Sequence, residues 1–399
     1  MLTEKQLDRY ADVLIWGLKT SRTTALKRND LFLVRFDLPA LRLAEIIQAK
    51  LLDMGMHPVL RLNSTPYMET TFFEKANSKQ LVFQLPGDKP FFNALNGSIF
   101  LRAPESITHL SHVDPKKIGK TAVARKYIRD ILDKRDEKGL YSWTLCMLPT
   151  QALADHAGMS LEAYDRQVIK ACFLNKTEPV QAWKNIYKKA AVIKKWLNSL
   201  NIDRLHIASP HVDLCITPGD RRRWIGISGH NIPSFEIFLS PDRRGTSGIY
   251  YADQPSYRNG NLVEGARLSF KKGKVVQAEA RKGKLFLRQQ IALDPGACRV
   301  GEFSLTDKRF SKIDRFMANT LFDENHGGRA GNCHIALGSS YSDTYGGDKS
   351  RLTKKMKERL GFNDSALHWD LVNTEKKLVT AHLKGAKTKV IYENGKFTI

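Results

Sequence analysis

Near Asn201 the chain changes texture, and that change constrains its fold more than any other feature. Before it, strand-length apolar runs alternate with helix-length amphipathic stretches; after it, short alternating runs follow one another between turn signals. Thr3 to Lys19 place Leu7, Tyr10, Ala11, Leu14, Ile15 and Leu18 at helical spacing. LFLVRF (Leu31 to Phe36), a helical stretch from Pro39 to Met54, and PVLRL (Pro58 to Leu62) then form a β-α-β unit. Pro39 suits the first turn of its helix and Gly55 the C-terminal stop. SIFLRA (Ser98 to Ala103), a basic helix from Ala122 to Lys134, and WTLCMLP (Trp143 to Pro149) extend the pattern. Strands alternating with helices predict a mainly parallel sheet covered on both faces. The expectation is an α/β N-terminal domain over 1–202, serving as a scaffold. No GxGxxG or GxxxxGK[ST] sits at a strand-to-helix junction, so it carries no sequence sign of a nucleotide site.

The second half reads LHIAS, VDLCIT, RRWIGIS, FEIFLSP, GIYYA, ARLSF, KVVQAEA and FLRQQIAL, punctuated by Pro218-Gly219, Asn259-Gly260-Asn261, Lys272-Gly273 and Lys282-Gly283. Such spacing predicts an α+β C-terminal domain over 203–399 with largely antiparallel strands.

Lys and Arg exceed Asp and Glu by 64 to 41, a formal charge of +23, which raises the question of an anionic partner. The excess is spread along the chain in short clusters, and aromatic-interleaved basic motifs that stack bases are missing, so no specific nucleic-acid partner is expected. Five scattered cysteines without a CxxC pair favour a reducing compartment. The N-terminus lacks the apolar core of a secretory signal, and no apolar run approaches the roughly 18 to 20 residues that span a bilayer. A soluble, cytoplasmic protein without a membrane partner is expected.

The chemistry concentrates between Asp323 and Asp370, in FDENHGGRAGNCHIALGSSYSDTYGG and ALHWDL. Glu236, inside the apolar run FEIFLSP, and Glu302, in CRVGEFSL, join Glu324, His334, Tyr341, His368 and Asp370 as candidate ligands. A carboxylate in an apolar strand costs several kcal/mol unless a metal or cation offsets its desolvation. In an extended strand His368 and Asp370 point the same way. Carboxylate with neutral imidazole suits zinc, cobalt or manganese. There is no HExxH helix and no GxSxG elbow. The residues by themselves support a metal-dependent hydrolase, with a basic binding protein carrying a degenerate metal site as the alternative.

The motifs taken together resemble the aminopeptidase T family of metallopeptidases, the thermophilic-type aminopeptidases that include aminopeptidase S. The matching features are N-x-P-x-x-E-x-F-x-x-P at Asn231 to Pro241, L-x-F-x-x-G-K-V-V-x-A-x-A at Leu268 to Ala280, and D-x-G-A-x-x-x-G-E at Asp294 to Glu302. They continue with F-D-E-N at Phe322 to Asn325, H-I-A-L-G-x-x-Y at His334 to Tyr341 and H-W-D at His368 to Asp370. The resemblance implies a homodimeric exopeptidase that removes the N-terminal residue of peptides with two divalent metal ions, zinc, cobalt or manganese. It implies Glu236, Glu302, Glu324, His334, Tyr341, His368 and Asp370 as the metal set. Within that set, Glu302 is the expected bridge, Glu324 the general base, and Tyr341 a ligand or donor to the oxyanion. Nine residues separate Glu324 from His334, a longer spacing than the family pattern, and His326 within them reads as a loop residue. A metal-dependent hydrolase of another amide would carry the same residues.

Overall fold

The computed structural model describes residues 2–399. The chain divides into two compact units, one of Met1–Tyr187 with Ile227–Ser234 and one of Lys188–Gly226 with Phe235–Ile399.

The first unit opens with helix α1 (Glu4–Thr20). Thr3 caps it through a reciprocal box with Gln6, satisfying two otherwise orphaned donors, and Leu7, Tyr10, Leu14 and Leu18 bury its apolar stripe. Strands β1 (Leu31–Phe36), β2 (His57–Leu62), β3 (Gly97–Arg102), β4 (Ser142–Met147) and β5 (Asn231–Ile232) form one parallel sheet in the order β2-β1-β3-β4-β5. Helix α2 (Leu41–Asp53) links β1 to β2 and ends where Gly55 takes φ +74°, the left-handed stop that the sequence calls for. The basic helix α3 (Pro115–Glu137) begins earlier than its apolar pattern suggests. Its start is written in Asp114, whose carboxylate accepts from Lys116 N at 2.9 Å, with Pro115 in the first turn.

In the second unit all strands pair antiparallel. An eight-stranded sheet runs from Lys274–Glu279 at one edge to Lys396–Phe397 at the other. A four-stranded sheet holds β6 (Glu236–Leu239), β7 (Val300–Thr306), β8 (Asn332–Gly338) and β9 (His368–Asn373) in the order β9-β8-β7-β6. Two of the expected strand runs differ. FLRQQIAL is helical, as α4 (Lys284–Ile291), because Phe286, Leu287 and Gln290 fall on one buried helical face. RRWIGIS makes only isolated bridges, Arg222 to Tyr345 and Ile225 to Phe238.

Every residue of β7 and β8 is buried, so both faces of the small sheet are covered. One face is apolar, built from Phe303, Leu305, Cys333, Ile335, Leu337, Trp369 and Leu371. The other carries buried carboxyls, which hydrophobic packing alone does not explain.

Candidate metal centre

Residues directly opposite on antiparallel strands share a face, so the register assembles the site row by row. Ser304 stands opposite Phe238 and His334, Glu302 opposite Ala336, Ala336 opposite Asp370, Gly338 opposite His368, and Thr306 opposite Glu236. The face therefore presents Glu236, Glu302, His334, His368 and Asp370, separated by the small residues Ser304, Ala336 and Gly338. A register shift between Val300 and Glu302 places Gly301 against the Gly338 and Ser339 carbonyls, where a Cβ would collide with backbone. That bulge sets the aim of Glu302.

His334 lies at the centre. Its Nε2 is 3.2 Å from Glu236 Oε2, 3.3 Å from Glu302 Oε1 and 3.9 Å from Asp370 Oδ1. His368 Nε2 lies 3.8 Å from Glu302 Oε2 and 3.6 Å from Asp370 Oδ1. The two oxygens of Glu302 thus face different imidazoles, and Asp370 faces both. The His368 Nδ1–H donates to the Ser339 carbonyl at 2.9 Å, which leaves the Nε2 lone pair directed at the carboxylates. Ser304 Oγ donates to Glu236 Oε2 at 3.3 Å.

Burial raises Glu302 to about 8, and the Glu236 and Asp370 carboxylates add to that rise while His334 opposes it. Glu324 is pushed well above the carboxylate range, first by burial and then by Glu236 and Asp370. Burial disfavours charge on His334, yet hydrogen bonds to Glu236 and Glu302 raise its pKa well above normal. Carboxyls crowded and buried in this way call for a positive charge among them. The geometry fits a metal ion in that role. Ligand atoms of Glu236, Glu302 and His334 lie within 4.8 Å of one another, and the two His334 contacts match the ligand-to-ligand edge of about 3.4 Å that 2.0–2.2 Å bonds give in a tetrahedral site.

Glu324 follows the one-turn helix α5 (Thr320–Asp323) and is 5% exposed. Its segment is pinned from several sides. Thr306 Oγ1 and Asn332 Nδ2 donate to the Glu324 carbonyl at 3.2 and 3.1 Å, and Asn325 Oδ1 accepts from Phe235 N, next to Glu236. Asp323 is a clamp rather than a candidate ligand, since its carboxylate accepts from Met317 N at 2.7 Å and Asn319 N at 2.8 Å. Burial still pushes its carboxyl up to about 7, against those two amides. Asp323→Ala is expected to cost about 2 kcal/mol of unfolding free energy by leaving buried amides unpaired. Urea denaturation checks this, and an unchanged midpoint would show that the loop stands without the clamp. His326 lies in the turn that follows, where its carbonyl accepts from Asn332 Nδ2 at 2.6 Å. Tyr341 packs its ring edge-on against His368 with centroids 4.7 Å apart, and its amide donates to Ser240 Oγ at 2.9 Å.

Sequence reasoning missed three supporting residues. Ser304 was within reach, two positions after Glu302 on one strand face. Asn325 lay inside a quoted motif. The Ser339 carbonyl, being backbone, left no signal.

A buried face of carboxyls and imidazoles on a four-stranded antiparallel sheet, in a chain whose other unit is α/β, defines a metal-dependent enzyme. Residues 3–397 match the family described as thermophilic metalloprotease (M29), and the chain belongs to it; it is a metallopeptidase, a hydrolase acting on peptides. Relatives include Aminopeptidase 2 of Geobacillus stearothermophilus, 29% identical over 309 residues that cover 72% of each chain. Aminopeptidase T of Thermus thermophilus is 29% identical over 284 residues, covering 65% of this chain and 66% of that protein. The fold is that of the solved wild-type AmpT from Thermus thermophilus, with a TM-score of 0.79 at 21% identity over 99% of this chain and 100% of that one.

Proposed function

We propose that this metallopeptidase is an aminopeptidase working with two divalent ions, zinc, cobalt or manganese. The supporting observation is that Glu302 turns one oxygen to each of two imidazoles, 3.3 Å from His334 and 3.8 Å from His368. Glu236, Glu302 and His334 would hold one ion, and Glu302, His368 and Asp370 the other. When bound, divalent ions supply Lewis acidity, lowering the pKa of water and stabilising negative charge on a carbonyl oxygen. The chain's own residues do the rest. Glu324 takes the proton of the attacking water and returns it to the leaving amide nitrogen. The Tyr341 hydroxyl, in or beside the ligand set, donates to the developing oxyanion. Ser339 and Ser304 hold His368 and Glu236 in their orientations.

All seven residues fall in 203–399, the proposed catalytic domain, with 1–202 as its scaffold. The names of the relatives support peptide N-termini as substrate. Five free cysteines support a reducing, cytoplasmic setting, and the family resemblance supports a homodimer, which sedimentation equilibrium tests. For the central reading, the protein is stripped with chelator, then titrated with each metal while leucine p-nitroanilide hydrolysis is followed. Activity is expected to vanish on stripping and return near two equivalents of metal. Full recovery at one equivalent would overturn the two-ion reading.

A further inference from the structure

The apolar layer of the first unit gives way abruptly to positive charge at one end of its sheet. Leu33, Val59 and Trp143 pack with Phe92, Ile128 and Leu132 on one face. Two residues further along the strands, Arg35 and Arg61 stand directly opposite each other on that same face. Phe100 is opposite Arg35, so Arg102, two residues on, is its diagonal neighbour. Arg125, on α3, adds a fourth charge that Arg35 feels.

Little on the chain answers these charges. Asp37 pairs with Arg102 at 3.2 Å and also accepts from Ala103 N and Asn63 Nδ2. Asn63 Oδ1 accepts from Arg35 Nε and Nη2 at 3.2 and 2.9 Å. The Arg61 guanidinium lies 4.1 Å over the Phe91 ring. Among the described residues, Arg102 alone of the four has a carboxylate ion-pair partner. Arg35 reaches solvent, yet the protein around it and then Arg102, Arg125 and Arg61 hold its guanidinium below the ordinary arginine range. Like charges directly across neighbouring strands repel, and a counter-ion between them relieves that repulsion.

The location adds a second argument. The sheet order β2-β1-β3-β4-β5 reverses direction between β1 and β3, and Arg35, Asp37 and Arg102 lie at the carboxyl ends of those two strands. In open parallel sheets, ligands bind at that switch point. We infer that Arg35, Arg61, Arg102 and Arg125 form a binding site for a doubly charged phosphate group, free or as a phosphomonoester. Four guanidinium groups against one carboxylate call for a multiply charged ligand, and the guanidinium fork matches phosphate oxygens. This site works without the glycine-rich loop whose absence the sequence establishes, and it does not depend on the peptidase reading.

Isothermal titration calorimetry of the metal-loaded full chain in 150 mM NaCl tests it, with inorganic phosphate in one arm and adenosine monophosphate in the other. One saturable site per chain is expected. The double variant Arg61→Gln/Arg125→Gln should weaken it at least tenfold, while Lys271→Gln/Lys272→Gln, remote in sequence, should not. The metal-site residues are untouched, and an unchanged melting curve shows the variant folded. Comparable affinity in both arms identifies free phosphate as sufficient, and tighter adenosine monophosphate identifies an ester; each supports the site. Absence of saturation in both arms, or equal weakening by the lysine pair, would overturn it.

Discussion

Glu302→Ala is expected to abolish turnover, by at least about a thousandfold, equivalent to about 4 kcal/mol of lost transition-state stabilisation. The reason is positional. Glu302 is the one carboxylate with a separate oxygen toward each imidazole, so its removal damages both proposed ion positions at once. Metal content measured by plasma emission should drop with activity. The metal-free proteins should behave in the opposite sense. A carboxyl raised to about 8 keeps its proton in the fold after the unfolded chain has released it, so Glu302 contributes most to the stability of the metal-free parent below the ordinary carboxylate pKa. That contribution is lost as pH rises toward 8. Alanine removes the Glu302 share of that dependence, so chelated Glu302→Ala should resist urea near pH 8 at least as well as the chelated parent. A variant that keeps both metal and turnover would end the bridging role, and one destabilised at every pH would point to packing instead.

Glu324→Gln should lower kcat by about 10²- to 10⁴-fold, the usual contribution of a positioned base. Glutamine keeps the volume and the carbonyl oxygen that faces Asn325 Nδ2 at 3.4 Å, so the pinned loop should survive. KM is expected to change little, because the lost step is proton transfer rather than binding. Parallel metal analysis separates the alternatives. Retained metal with lost turnover supports a base, metal lost together with turnover makes Glu324 chiefly a ligand, and kcat within tenfold of the parent removes it from the mechanism.

Much of this arrangement was legible from local pattern. The β1-α2-β2 unit, its Gly55 stop and the shared face of His368 and Asp370 follow from period and turn chemistry alone, and the structure has them. What local pattern does not carry is register. That Ser304 would sit opposite His334, or Ala336 opposite Asp370, depends on which strands meet, and those strands are dozens of residues apart. Polar first turns conceal the start of α3, and FLRQQIAL, one short helical run among many strands, has the look of another strand. The N-x-P-x-x-E motif hides a boundary: Asn231 and Ile232 pair with β4 in the first unit, whereas Glu236 begins β6 in the second. A contiguous motif gives no hint of that division.

The order of strands in the small sheet has a consequence for assembly. Glu236, Glu302, His334 and Asp370 come from four separate strands, and β6, which brings Glu236, is a four-residue strand at the edge. An unfolded chain offers a cation no preformed nest, since these donors meet only after non-local pairing is complete. A metal held by these residues would therefore arrive late, as a rivet through finished work rather than a seed for it. An ion held in the proposed way by Glu236, Glu302 and His334 would fasten that edge strand to the middle of the sheet, and its removal by chelator should loosen β6 first.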